Sequence, residues 1–478
     1  MIVEKNTAVS FVPVIVLLGT LIATLIVKGA DSILDLSPLL MGIASAVALI
    51  LGLTVLRRPV RLLRLGMLKS ARQIIPAIPI LLLIGTLSAT WMLSGTVPLM
   101  IDFGLSILHP RFFLPAACAV CALVSVVTGS SWTTIATIGV AFMGIGTIMG
   151  FQPAWVAGAI ISGAYFGDKI SPLSDTTVLA ASTCNVNIFT HIRYMMITTV
   201  PAMTIALIVF MLVGLNGVGD SSAAAGDIVN SLRNIFNMSP WLWTVPAITC
   251  LMIALRLPTL IVLATGTVTG LVAMWIFQPT VTASLTEGGV NPVMASVMAL
   301  LSSTSISTGN AMLDDLTATS GMVGMLPTIW LILSAMIFGG MMIGTGMLRE
   351  ITNTFVRPLR RPIHLVMATV SSGLFLNSST GDQYISLVIG GNLYRPAYHR
   401  AGLRPELLSR SLEDSVSVTS VLIPWNSCGM TQSTVLGVST IAYAPCCIFN
   451  ILSPVMSIAM VWLTSRLHLS FATIGRRA

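Results

Sequence analysis

The chain has 478 residues, of which 8% are Asp, Glu, Lys or Arg and 55% are hydrophobic. A soluble domain carries roughly a quarter of its residues as charges, so a cytosolic enzyme and a secreted module are both excluded. Lipid is the solvent such a composition suits, and the chain reads as an all-α polytopic membrane protein. Its net charge of +8 calls for no nucleic acid, because the arginines cluster in short loops between apolar runs. Membrane lipid is the partner expected.

The opening MIVEKNTAVS has no cleavable signal pattern, so the first apolar run is expected to stay as a span. Long, nearly uncharged runs fall at 11–28, 36–56, 74–101, 194–216, 240–256, 258–277, 325–348 and 440–464. Each is read as a membrane helix. Polar clusters interrupt four further stretches. Of these, 112–150 and 364–391 are read as re-entrant hairpins, and 153–182 and 414–438 as crossing helices broken midway. About ten transmembrane helices plus two hairpins result. With the N-terminus inside, this arrangement puts twenty of the 24 basic residues on the inner side, and both termini are expected in the cytoplasm. The seven cysteines lie mostly within apolar runs and form no metal-ligand set, so packing is their expected role.

Two sets of landmarks recur. Pro76 and Gly95 are spaced like Pro327 and Gly346, and TGSSWTTIA (128–136) resembles TGDQYISLV (380–388). GDKISPLSDTT (167–177) faces LEDSVSVTSVLIPWNS (412–427), with either Asp168 opposite Asp414 or Ser171 opposite Ser420. The basic loop 57–72 matches the acidic 308–323, with Asp314 and Asp315, and such a reversal of charge is what opposite membrane orientation produces. Two inverted-topology repeats are therefore expected, 1–216 and 240–478 around a linker 217–239. That architecture belongs to secondary transporters with a midplane site.

Ionisable groups at membrane depth are functional candidates. Asp168 and Asp175 flank Ser171, Pro172 and Ser174 in the first broken helix, where carboxylates and freed carbonyls make hard oxygen ligands of the kind Na⁺ prefers. Glu413 reads as a boundary or helix-start charge, while Asp414, Ser417 and Asn426 join the candidate cation set of the second half. Asp382 stands at the second hairpin tip. The hydroxyls of Thr128, Ser130, Ser131 and Thr380, with Trp132, Tyr384 and Trp425 as walls, could serve a small solute. The five histidines fall near span ends and are read as interfacial. Lys169 is read as the one cation at depth, so the empty site is expected to be net negative and to need Na⁺, H⁺ or both.

TGSSWTTIATIGVAFMGIG, FGDKISPLSDTT, STGDQY with its following RPAY, and SLEDSVSVTSVLIPWNSCG resemble the NhaC family of bacterial sodium/proton antiporters. The resemblance covers most of 74–182 and 325–438. It implies elevator-like transport, a homodimer, and Asp168, Ser171, Asp175, Thr176, Asp382, Asp414 and Asn426 as matched site positions. The chain departs from the family pattern at Thr133, where Gly is expected, and at Val421, where Pro is expected.

The reading is a Na⁺/H⁺ antiporter of the bacterial inner membrane, with Na⁺ and H⁺ as transported ions and no other cofactor. A carrier or exchanger of an amino acid or a carboxylate is the alternative. No Ser–Lys, HExxH or GxGD pattern points to an enzyme.

Overall fold

The computed structural model describes residues 7–29, 32–216, 222–255, 257–286, 291–304, 314, 317–355 and 361–466. Asp315 and half of 308–323 lie outside them. The described chain is helical, with a single bridge between Thr304 and Thr319. Five helices lead in: α1 Thr7–Lys28, α2 Ser32–Thr54, α3 Val60–Gln73, α4 Ala77–Leu93 and α5 Thr96–Ile107. The first hairpin pairs α6 Pro110–Thr128 with an arm made of α7 Ser131–Thr134, a π-helical turn Ile135–Gly139 and α8 Val140–Ile148. The first broken helix is α9 Pro153–Ile170 and α10 Asp175–Thr183. Then come α11 Ile188–Asn216, α12 Ser222–Ile235, α13 Thr244–Ala254, α14 Thr259–Phe277, α15 Pro279–Leu285, α16 Pro292–Leu301, α17 Leu326–Thr345 and α18 Met347–Phe355. The second hairpin is α19 Pro362–Thr380 and α20 Gln383–Arg400. The second broken helix runs from α21 Pro405–Leu412 through a π turn Glu413–Ser417 and a short turn Ser420–Leu422 to α22 Ser427–Leu436. The short α23 Thr440–Tyr443 and the long α24 Ile448–Arg466 close the fold.

Eight described helices are long and apolar enough to cross a membrane, or nine if the bent pair 440–446 and 448–463 is one span. The expected ten differ for physical reasons. Both arms of the first hairpin, of 19 and 18 residues, reach spanning length. The broken helices are too short or too polar to pass alone. The run 440–464 is not straight but bent by 56°. The second hairpin extends to Arg400 rather than 391. The expected loop 57–72 is largely helix. Leu63 and Ser70 on α3 are buried, and Gly66 sits so close to α17 that a Cβ would collide with the Gly340 carbonyl. Part of the expected linker is α12, whose Leu232 is buried and whose Arg233 forks onto Asp102 at 2.9 and 3.1 Å.

Landmarks repeat through the two hairpin-and-break units. Proline, whose missing N–H costs nothing in a first turn, opens α6 and α9 at Pro110 and Pro153. It opens α19 and α21 at Pro362 and Pro405, 252 residues later in each case. The hairpin tips turn at Gly129 (φ 66°) and Gly381 (φ 68°), which are also 252 residues apart. This interval places Asp168 opposite Ser420 and Asp414 opposite Ser162, which replaces both registers read from the motifs.

Each tip is carried to a break by packing. Within α9, Gly163 and Gly167 lie against α6 so tightly that added Cβ atoms would strike the carbonyls of Cys118 and Ala122. Small residues four apart let helix backbones approach in this way. Further along the same pair, Gly129 abuts Leu173, and a Cβ there would stand 2.6 Å from the Leu173 Cβ. In the second unit, Gly373 lies against Ser415, and Gly381 faces the Trp425 carbonyl. Gly129 and Leu173, like Gly381 and Trp425, are 44 positions apart. Gly163→Leu is expected to force α6 from α9 at a cost of about 1–3 kcal/mol, measured as a lower midpoint of thermal unfolding in detergent.

Candidate functional site

The two tips and the first break enclose a cleft of about 410 Å³. Thr128, Ser130, Ser131, Trp132 and Thr133 of the first tip line it, as do Asp168, Ser174, Asp175 and Thr176 of the first break. Gln383 and Tyr384 enter from the second tip. Ala77 and Ile80 of α4 close one wall, and Leu257, Pro258 and Val262 around the start of α14 another.

An interrupted helix exposes N–H groups that need acceptors, and the candidate polar residues meet that need first. Ser130 accepts from the Thr133 N–H at 3.2 Å, and Asp382 accepts from the Ile385 N–H at 2.9 Å. Ser174 accepts from the Thr177 N–H at 3.4 Å, and Asn426 from the Cys428 N–H at 3.1 Å. The tips match bond for bond. The Thr128 hydroxyl donates to the Ser130 carbonyl at 3.2 Å and pairs with Thr134. The Thr380 hydroxyl donates to the Asp382 carbonyl at 3.0 Å and pairs with Ser386. Ser171 fastens the first break to the hairpin by donating to the Val126 carbonyl at 2.8 Å. The Ser427 N–H donates to the Gly381 carbonyl at 2.8 Å, tying the second tip to its own break.

With the caps assigned, two carboxylates remain in the cleft. Ser131 Oγ donates to Asp168 Oδ2 at 2.7 Å, across from the tip to α9. Asp175 begins α10 with its side chain exposed to the cleft. Trp132 and Tyr384 line the cleft as well, whereas Trp425 turns away and donates from Nε1 to the Ser378 carbonyl at 2.8 Å. Thr380, Asp382 and Asn426 stand behind the second tip rather than in the cleft.

Asp414 is elsewhere. It forms a buried ion pair with Lys169, and the same Oδ1 accepts from Ser453 at 2.8 Å. Thr198 donates to its Oδ2 at 3.1 Å, and Arg410 lies 4.0 Å from that oxygen. The carboxylate expected to bind a cation thus has a side-chain cation already. Lys169 is not the one base at depth: Arg410 is also buried and stacks over the Tyr194 ring at 4.9 Å. Two further readings change. His191 is fully buried, with Nδ1 2.8 Å from Ser409 Oγ, and is not interfacial. Glu413, read as a boundary charge, is fully buried beside Ser417. Its signal was in the sequence: SLEDSVSVTS offers hydroxyls around the acid where a boundary residue would meet water.

The description of a Na⁺/H⁺ antiporter family matches residues 1–183 and 163–464. The chain belongs to that family. It is 36% identical to the Na⁺/H⁺ antiporter NhaC of Alkalihalophilus pseudofirmus over 80% of this chain and 81% of the relative. It is 33% identical to NhaC of Bacillus subtilis over 82% and 85%. A malate-2H⁺/Na⁺-lactate antiporter of B. subtilis is 33% identical over 77% of each chain. The family scaffold is thus shared by proteins whose names give different cargoes.

Removing one partner of a buried ion pair leaves the other bare, at a cost of about 3–5 kcal/mol. Lys169→Met is therefore expected to destabilise the fold strongly, and adding Asp414→Asn to recover much of the loss. Asp175→Asn should leave thermal unfolding in detergent unchanged, and the same melting measurement reads all three variants.

Proposed function

We propose that this chain exchanges Na⁺ for H⁺ across the bacterial cytoplasmic membrane, with Asp168 and Asp175 as the groups that carry the ions. One observation supports this most: two carboxylates line the cleft, and none of its lining residues is basic. Lys169 follows Asp168 in sequence, but its ammonium is engaged by Asp414 and Ser453. An anionic cleft attracts cations. A carboxylate that holds either a proton or Na⁺ couples their movements by competition alone, since occupancy by one displaces the other. The hydroxyls of Ser131, Ser174 and Thr176 stand beside the two acids and supply oxygen ligands of the hard type. Resemblance to the two NhaC proteins supports the same cargo.

A carboxylate solute fits less well, because no basic side chain among the lining residues would meet it. The cleft adjoins the end of α13 and the starts of α14 and α4, where the basic segment 57–72 approaches. On this reading it opens to the cytoplasm, where both termini lie, and the two hairpin-and-break units are the inverted halves. The homodimer implied by the family resemblance belongs to the same reading.

The test is collapse of a preset pH gradient in proteoliposomes, read with a pH dye while the membrane potential is clamped. Na⁺ should collapse the gradient with no organic solute present, and Asp175→Asn should reduce the rate at least a hundredfold. A wild type that ignores Na⁺ and responds only to an added amino acid or dicarboxylate would overturn the proposal. Retained Na⁺ exchange in Asp175→Asn would remove that residue from the mechanism.

A further inference from the structure

Behind the cleft, polar groups not used by the two aspartates converge on Glu413. Its side chain is fully buried where α21 loosens into the π turn, and neither carboxyl oxygen has a hydrogen-bond partner. The hydroxyls of Ser417 and Thr176 flank it. Ser417 Oγ is itself buried without a partner. Thr176 also lines the cleft, so a single side chain stands between Glu413 and the first acids. Three residues beyond Ser417, Ser420 Oγ donates to Gln383 Oε1 at 3.1 Å, and Gln383 lines the cleft too. A hydroxyl-lined track therefore joins the cleft to a bare carboxyl.

The charges nearby do not balance. Asp168, Asp175, Glu413 and Asp414 face two bases, Lys169 and Arg410. His191 adds none, since its Nδ1 is held by Ser409 and its Nε2 is buried without a partner. Asp382 is a separate case: it caps α20, where the helix N-terminus compensates its charge. Four carboxylates against two bases leave two negative charges. By position both belong to the open cleft, but Lys169 and Arg410 both stand on Asp414, so Glu413 is sealed in the interior with no base of its own, where an unpaired carboxylate is costly.

We propose that Glu413 and Ser417 form a second Na⁺ position behind the cleft, reached past Thr176, so that the chain binds two Na⁺. This deepens the antiport reading and rests on it. The oxygen set of one carboxylate and two hydroxyls suits a small hard cation. The proposal also makes coupling depend on both hairpin-and-break units, through Asp175 of the first and Glu413 of the second.

The experiment is equilibrium binding of radioactive Na⁺ to the purified full-length chain in detergent, at one fixed pH. Wild type should saturate at two Na⁺ per chain and Glu413→Gln at one. In proteoliposomes, the Na⁺ dependence of exchange should change from cooperative to hyperbolic in the same variant. Ser417→Ala keeps the carboxylate and is expected to weaken the second site about tenfold, or about 1.4 kcal/mol. If Glu413→Gln aggregates, Ser417→Ala decides, and an unchanged second affinity overturns the proposal. Equal Na⁺ binding by wild type and Glu413→Gln overturns it as well. Saturation of wild type at one Na⁺ with exchange intact removes the second position alone, whereas no Na⁺ bound and no exchange removes the antiport reading with it.

Discussion

Hydrocarbon offers no hydrogen bonds, so a helix interrupted at membrane depth must have its freed backbone groups satisfied from within the protein. The rest of this structure depends on that constraint. Each tip needs a partner, each break needs a partner, and the fold pairs them. Gly163 and Gly167 bring α6 onto α9 closely enough for the tip at Gly129 to meet the break at Leu173. There the Thr177 hydroxyl takes up the Lys169 carbonyl at 3.0 Å, and Ser171 takes up that of Val126. In the second unit, Ser427 N–H and the Gly381 carbonyl satisfy each other. The cleft lies where it does because the interruptions must sit side by side, and hydroxyls line it because the interruptions need them.

The electrostatics follow from one turn of α9. Consecutive helix residues point about 100° apart, so Asp168 reaches Ser131 and the cleft while Lys169 enters the core toward Asp414. Adjacent opposite charges in a sequence suggest a pair that cancels. The helix separates them instead, and Asp414 neutralises the base from another element. Thr198 and Ser453 also donate to that carboxylate, and Arg410 stands 4.0 Å from it. Low dielectric magnifies both such a pairing and its loss. The outcome is a cleft with its acids uncompensated, and a charge gradient from the anionic opening to the balanced interior.

Much of this was legible in the sequence, and the gaps have physical causes. Composition and long apolar runs identify a polytopic helical protein, and Thr128–Gly129 and Thr380–Gly381 announce the tips, because few other residues turn so sharply. Asp168, Asp175, Ser131, Trp132 and Tyr384 do meet in one cleft. Partners across space were not legible. Nothing local to Asp414 says that Lys169 holds it, since 245 positions separate the two. Nothing local to His191 says that Ser409 covers it. Ser174, Asp382 and Asn426 also cap helices, a duty the sequence hides because a capping residue and a ligand share the same chemistry, an oxygen aimed at a gap in a helix. The 252-residue interval is visible in the two Thr-Gly tips, but its continuation to the breaks is masked there by acidic motifs that resemble one another.

The two departures from the NhaC pattern are not equivalent in space. Val421 is fully buried, and its carbonyl accepts from the Tyr443 hydroxyl at 2.9 Å. A proline there would keep that carbonyl, so the change bears on the stiffness of the turn before the second break. Thr133 lines the cleft itself, where its hydroxyl donates to Ser130 Oγ at 3.1 Å. Glycine at this place would remove a hydroxyl and a methyl from the cleft wall while keeping the N–H that Ser130 caps. Relatives named for cation exchange and for malate–lactate exchange share about a third of their residues with this chain. A change of cargo is best borne by lining positions that the backbone does not need. Position 133 meets that condition, whereas Ser130 and Ser174, occupied as caps, do not.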